Sequence, residues 1–205
     1  MHELPAAVPP RLTVARSELI LGGQKSGKSR RAEWLAREWL ATASTHGAIL
    51  IATAQPGDDE MRQRIQRHQL DRAQYVPGMK TFEEPVKLAD AILQYSRSDT
   101  LLVVDCLTLW LTNLLMPHGD RAAPFQQAAA EVEYAWELPL VAALESASGP
   151  MVLVGNEIGL GVIPLGREAR HFVDALGHLN QRMARVCARV TLMAAGLPLS
   201  LKEPA

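Results

Sequence analysis

Short, wholly apolar runs alternate along this chain with longer stretches in which apolar residues recur at helical spacing. The runs are Leu19-Ile20-Leu21, Ala48-Ile49-Leu50-Ile51-Ala52, Leu101-Leu102-Val103-Val104 and Met151-Val152-Leu153-Val154. Each is too short for a helix and has no polar face, the pattern of a parallel strand covered on both sides. Strands are therefore predicted at Ser17 to Leu21, Ala48 to Ala52, Leu101 to Asp105 and Met151 to Val154, with two more at Val190 to Met193 and Leu197 to Leu201. Between them, Ala32, Leu35, Ala36 and Trp39 mark the buried face of a helix over Lys28 to Thr42. Further helices are predicted over Asp58 to Leu70, Pro85 to Tyr95, Leu107 to Met116, Ala122 to Ser146 and Gly166 to Ala188, with a kink or break at Pro139. Arg72 to Lys80 reads as a loop turned at Pro77-Gly78, and Thr81 to Pro85 leads from it into the next helix. Strands and helices alternate to the end. That order predicts an α/β fold of three layers, α/β/α, around a mostly parallel sheet.

Composition narrows the class without naming a chemistry. A length of 205 residues, 48% hydrophobic and 21% charged, suits one globular domain with a substantial core. The expected division is a flexible extension over residues 1–16, rich in proline, and a single domain over 17–205. The extension lacks a basic start and an apolar core segment, so it does not read as a secretory signal. No apolar run is long enough to span a bilayer, and a cytoplasmic protein is expected. A net charge of −1 gives no general reason to expect nucleic acid as a partner. Cys106 and Cys187 lie far apart in apolar surroundings without metal-ligand spacing, as buried reduced thiols do.

The chemistry begins where the first strand ends. Gly22-Gly23-Gln24-Lys25-Ser26-Gly27-Lys28-Ser29 fits G-x-x-x-x-G-K-[ST], with a strand before it and a helix after it. Glycines let the backbone curl so that successive N–H groups face phosphate oxygens, and the helix terminus adds positive potential. Lys28 is placed to reach the outer phosphates, and the Ser29 hydroxyl to ligate Mg²⁺. Asp105, at the carboxyl end of its strand, is the expected second metal residue. The domain therefore reads as a P-loop NTPase-like fold that binds a nucleoside triphosphate. Asp58 is read as a helix N-cap in preference to a metal ligand.

Several stretches recur together with the loop. They are Ile51-Ala52-Thr53, Asp59-Glu60-Met61 with Arg64-Ile65-x-x-His68, Glu83-Glu84-Pro85, Asp105-Cys106-Leu107-Thr108 through Asn113-Leu114-Leu115, Asn156-Glu157-Ile158-Gly159-x-Gly161, and Asp174-x-x-Gly177-x-x-Asn180-Gln181. In these the chain resembles the bifunctional adenosylcobinamide kinase and adenosylcobinamide-phosphate guanylyltransferase family of cobalamin biosynthesis, from about Ser17 to Leu201. The resemblance implies phosphorylation of adenosylcobinamide with ATP or GTP. It then implies transfer of GMP from GTP to the product through a guanylylated histidine, giving adenosylcobinamide-GDP and pyrophosphate.

On the motif that histidine is His68, which with Lys28 makes up the implied catalytic pair. Implied nucleotide contacts are Gly22, Gly23, Gln24, Lys25, Ser26, Gly27, Lys28, Ser29, Ala52, Thr53, Ala54, Gln69, Leu70, Asp71, Arg72, Glu83 and Asp105. Val173 stands where the family often has arginine. The family also implies a homo-oligomer, a homotrimer, in which neighbouring subunits complete the acceptor site.

Independent chemistry agrees with a histidine. Neutral imidazole is a good nucleophile near neutral pH, and its phosphoramidate is labile enough to pass a nucleotidyl group onward. Two other readings of the loop stay open. One is a P-loop small-molecule kinase without guanylyltransferase activity, and the other a nucleotide-dependent switch that transfers nothing.

Overall fold

The computed structural model describes residues 12–55, 63, 66–67, 70, 72–116, 135–162 and 164–204. In chain order the elements are β1 (Ser17–Gly22), α1 (Lys28–Thr42), β2 (Gly47–Ala52), β3 (Lys80–Glu83), α2 (Leu88–Tyr95), β4 (Thr100–Asp105), α3 (Leu107–Leu115), α4 (Glu137–Ser146), β5 (Met151–Val154), α5 (Arg167–Val186), β6 (Arg189–Ala194) and β7 (Leu197–Lys202). The strands form one seven-stranded sheet in the order β3-β2-β4-β5-β1-β6-β7. Every neighbouring pair is parallel except β6 and β7, an antiparallel hairpin.

Side chains in the central strands alternate between two cores, as the strand period of two requires. Leu102 and Val104 of β4, with Leu19, Leu21, Ile51 and Leu153, face the helices α2, α3, α4 and α5. Leu101 and Val103, with Ile20, Leu50, Val152 and Val154, face Ala32, Leu35 and Ala36 of α1. The three layers predicted from the alternation are thus present. Helix α3 turns Leu107, Trp110, Leu111 and Leu114 into the first of these cores.

Three boundaries differ from the sequence expectation. Lys80–Glu83 is a strand, not a lead-in to a helix: its only large apolar residue is Phe82, and its order comes from backbone pairing of Ile49–Ala52 with Lys80–Glu83 at the sheet edge. Residues 72–75 are helical where a loop was expected, and the guanidinium of Arg30 lies 3.9 Å above the Tyr75 ring. Helix α2 starts at Leu88 and not at Pro85, because the Glu84 carboxylate turns back to accept from Val86 N and Lys87 N at 3.0 and 2.8 Å. Where a kink or break was expected at Pro139, the described helix begins at Glu137. Pro139 sits in the first turn of α4, where a missing N–H removes no helical bond. The β6–β7 turn is made by Ala195 and Gly196, both at positive φ (52° and 81°), and Pro198 lies on the outermost strand.

One charged residue breaks the apolar pattern of β1. The side chain of Glu18 is only 1% exposed. Its Oε1 accepts from Arg31 Nε at 2.7 Å and from Thr191 Oγ1 at 2.8 Å, and its Oε2 from an Arg189 NH group at 3.3 Å. The carboxylate therefore ties β1 to α1 and β6 at once.

Candidate active site

The carboxyl ends of β1, β4 and β5 lie side by side, because Val154 is in register with Ile20 on one side and Asp105 on the other. In an open parallel sheet this edge is where ligands bind. Here the Gly22–Ser29 loop leaves β1 and runs directly into α1.

Gly22 has φ 152°, and a Cβ there would meet Met193 O at 2.4 Å and Ser26 Oγ at 2.6 Å, so no side chain fits. Gly27 has φ 101° and sits where a Cβ would lie 3.2 Å from Gly196 Cα, against the β6–β7 turn. The loop is braced from within by Ser26 N to Gly23 O (3.3 Å), and from behind by Gly196 N to Ser26 O (3.0 Å). Lys28 is largely buried, and its Nζ donates to Gly23 O at 2.6 Å, which holds the ammonium across the mouth of the loop. Gly23, Gln24 and Lys25 are exposed on the outside of the curl, and Ser29 is half-buried at the start of α1. The buried Ser26 hydroxyl has no hydrogen-bond partner among the described residues.

Asp105 is set beside the loop through Thr53. Thr53 is fully buried; its N–H donates to Asp105 O at 3.2 Å, and its hydroxyl donates to Cys106 O at 2.7 Å and accepts from Cys106 N at 2.8 Å. Thr53 O in turn accepts from Asn113 Nδ2 at 2.8 Å, and the same amide donates to Pro85 O at 3.0 Å. Thr53 is thereby a fastener between the ends of β2 and β4. Asn113, Thr108 and Thr112 are the polar positions of an otherwise apolar helix, and the first two bond to chain outside it.

Burial pushes the Cys106 thiol up to about 11, with the Asp105 carboxylate adding to the rise and Lys28 opposing it. The thiol itself stays protonated at neutral pH and is no nucleophile. Cys187, buried at the far end of α5, is pushed up to about 12 by the same cause.

Ala52 and Ala54 flank Thr53 and are half-buried, Arg72 is half-buried, Glu83 ends β3 on the outer strand, and Leu70 is 73% exposed. His68, Gln69 and Asp71 lie outside the described residues, as does Asp58. Of the described histidines, His46 precedes β2 at the opposite edge of the sheet and stacks on Trp39 with centroids 3.9 Å apart. His171 and His178 are exposed on α5.

Among the described residues no group of three or more His, Cys, Asp or Glu side chains is arranged to hold a metal. The donor set at the loop, one hydroxyl and one carboxylate, is what Mg²⁺ uses when triphosphate oxygens and water complete its shell. Ser29 and Asp105 therefore fit that ion.

The sequence profile of the cobinamide kinase / cobinamide phosphate guanyltransferase family matches residues 18–201. The bifunctional adenosylcobalamin biosynthesis protein CobP of Pseudomonas aeruginosa is 45% identical over 188 residues, covering 91% of this chain and 98% of that protein. Proteins of the same description, named CobU, are 36% identical in Salmonella typhimurium and 34% in Escherichia coli, each over 90% of this chain and 98% of theirs. The flagellar accessory protein FlaH of Methanocaldococcus jannaschii shares the fold alone, with a TM-score of 0.50 at 12% identity over 92% of this chain and 78% of that one. The chain belongs to the cobinamide kinase / cobinamide phosphate guanyltransferase family.

Proposed function

We propose that this chain performs both reactions its family describes, using one nucleotide loop for two transfers. In the first, a hydroxyl of adenosylcobinamide attacks the γ-phosphorus of ATP or GTP. In the second, His68 attacks the α-phosphorus of GTP, the bond to the bridging oxygen breaks and pyrophosphate departs. The phosphate of adenosylcobinamide phosphate then displaces His68, giving adenosylcobinamide-GDP. The carrying observation is the Gly22–Ser29 loop set beside Asp105 in a chain of this family.

The residues divide the work by chemistry. Loop amides and Lys28 hold the β- and γ-phosphate oxygens in both reactions, and in the second they hold the departing pyrophosphate. Ser29 and Asp105 would hold Mg²⁺, which supplies neutralising charge to those oxygens when bound. His68 is assigned as the nucleophile by family resemblance, on the motif Arg64-Ile65-x-x-His68, and a neutral imidazole suits that chemistry. Ala52, Ala54, Gln69, Leu70, Asp71, Arg72 and Glu83 are assigned to the nucleotide by family resemblance. We further propose a single catalytic domain over residues 17–205, acting in the cytoplasm as a homo-oligomer. No helix of the described residues is long and apolar enough to cross a membrane.

The test follows the corrinoid. With ATP alone, adenosylcobinamide is expected to be converted to its phosphate; adding GTP is expected to carry it to adenosylcobinamide-GDP with release of pyrophosphate. A reaction that stops at the phosphate supports a kinase only. Nucleotide turnover that leaves the corrinoid unchanged supports a switch, and either outcome overturns the two-transfer reading.

A further inference from the structure

We propose that Glu157 is the general base of the phosphoryl-transfer step, an inference that rests on the kinase activity proposed above. A hydroxyl attacking the γ-phosphorus must shed a proton. The loop amides and Lys28 are donors, and Asp105 is placed at the metal, so none of them is free to take it.

Among the described residues the carboxylates at or just past the carboxyl ends of the parallel strands are Glu83, Glu84, Asp105 and Glu157, while Glu203 follows the antiparallel β7 at the other edge of the sheet. Glu83 ends the outer strand β3, separated from β1 by β2, β4 and β5. Glu84 is committed to the backbone amides of Val86 and Lys87. Glu157 follows β5, the strand between Asp105 and the phosphate loop.

The backbone brings Glu157 to the loop itself. Past β5 the chain continues along β1, with Gly155 N donating to Ile20 O at 2.9 Å and Glu157 N donating to Gly22 O at 3.0 Å. The main chain of Glu157 is thus bonded to the first residue of the phosphate loop. The residue before it is pinned from two helices: Asn156 N donates to Thr108 Oγ1 at 2.8 Å, and Asn180 Nδ2 donates to Asn156 O at 3.1 Å. Asn180 is buried, so this anchor is rigid.

The side chain is held as well as the backbone. Glu157 Oε1 accepts from Gly159 N at 2.7 Å, which fixes the carboxylate while Oε2 accepts no hydrogen bond among the described residues. The residue is half-buried, so its carboxylate is not sealed from solvent. In the step, the acceptor proton passes to the Glu157 carboxylate as the acceptor oxygen bonds to the γ-phosphorus. The bond from that phosphorus to the bridging oxygen breaks, and the nucleoside diphosphate leaves with the electron pair. Glu157 then returns its proton to water.

The rival explanation is that Glu157 only closes the turn at Gly159. Glu157→Gln separates the two, because the amide oxygen of glutamine keeps that hydrogen bond and loses only the basicity. The expected result is a fall in kinase kcat of roughly 100-fold or more with nucleotide KM little changed. Protein labelling from GTP carrying label in the α-phosphate is expected to continue in the same variant. Kinase turnover close to wild type in Glu157→Gln, or kinase and labelling lost in parallel, overturns the assignment. A wild type that labels with GTP but forms no corrinoid phosphate overturns the kinase reading and this inference with it.

Discussion

A Lys28→Met enzyme is expected to lose both transfers together, each by roughly 10²–10³-fold in turnover. The reason lies in where the ammonium is held. Lys28 is the first residue of α1, is 8% exposed, and reaches across the loop to Gly23 O. In that dry position a positive charge aimed at phosphate oxygens acts far more strongly than it would in water. Methionine keeps the length and the apolar stem, so the loop has no packing reason to collapse. The check is to measure corrinoid phosphate formation and α-label transfer from GTP on the same preparation, beside its thermal unfolding. Parallel loss at unchanged Tm supports one loop serving two reactions. Loss of the kinase step alone would mean that pyrophosphate is held elsewhere.

The second large effect is on stability. Glu18→Ala is expected to cost about 3–5 kcal/mol, because it leaves the buried Arg31 and the half-buried Arg189 guanidinium groups without their carboxylate. Arg31 and Glu18 are buried on both sides of their contact, with side-chain exposures of 9% and 1%, so solvent screens the pair little. Arg189 is cushioned by its further bonds to Thr13 and Glu203, so Arg189→Ala is expected to cost less than Glu18→Ala. Replacing Glu18 and Arg31 together by leucines is expected to cost less than the sum of Glu18→Ala and Arg31→Ala, since no charge is then stranded at that contact. Urea unfolding midpoints of these variants and the wild type check this ranking. A Glu18→Ala midpoint within error of wild type would show that the network does not hold β1, α1 and β6 together.

Most of the sheet was legible because its central strands carry unbroken apolar runs, such as Leu19-Ile20-Leu21 and Leu101-Leu102-Val103-Val104, a pattern with few alternatives at that length. The loop was legible because phosphate binding demands glycine, lysine and serine at fixed spacing, and Asp105 because a lone acid ends an apolar run. What escaped the sequence reading depends on neighbours distant along the chain. β3 shows no strand pattern because an edge strand is ordered by its backbone; Lys80 and Thr81 can stay exposed while pairing with Ile49 and Leu50. The carboxylate of Glu18 looks like a blemish in β1 until Arg31, Arg189 and Thr191 are folded around it. The role of Thr53 as a fastener for Asp105 depends on β2 and β4 being adjacent, which no local pattern states. The Asn156-Glu157 stretch was visible as a motif, but its hydrogen bond to the phosphate loop follows only from β5 lying between β4 and β1.

The central claim is that one phosphate loop serves a phosphoryl and a guanylyl transfer, with His68 carrying the nucleotide between them. The most direct measurement is to incubate the protein with GTP labelled in the α-phosphate, denature it, and count protein-bound label before and after acid treatment. The account predicts acid-labile label on the wild type and none on His68→Ala, with kinase activity kept in that variant. Wild-type protein without label, or equal label on His68→Ala, would contradict it.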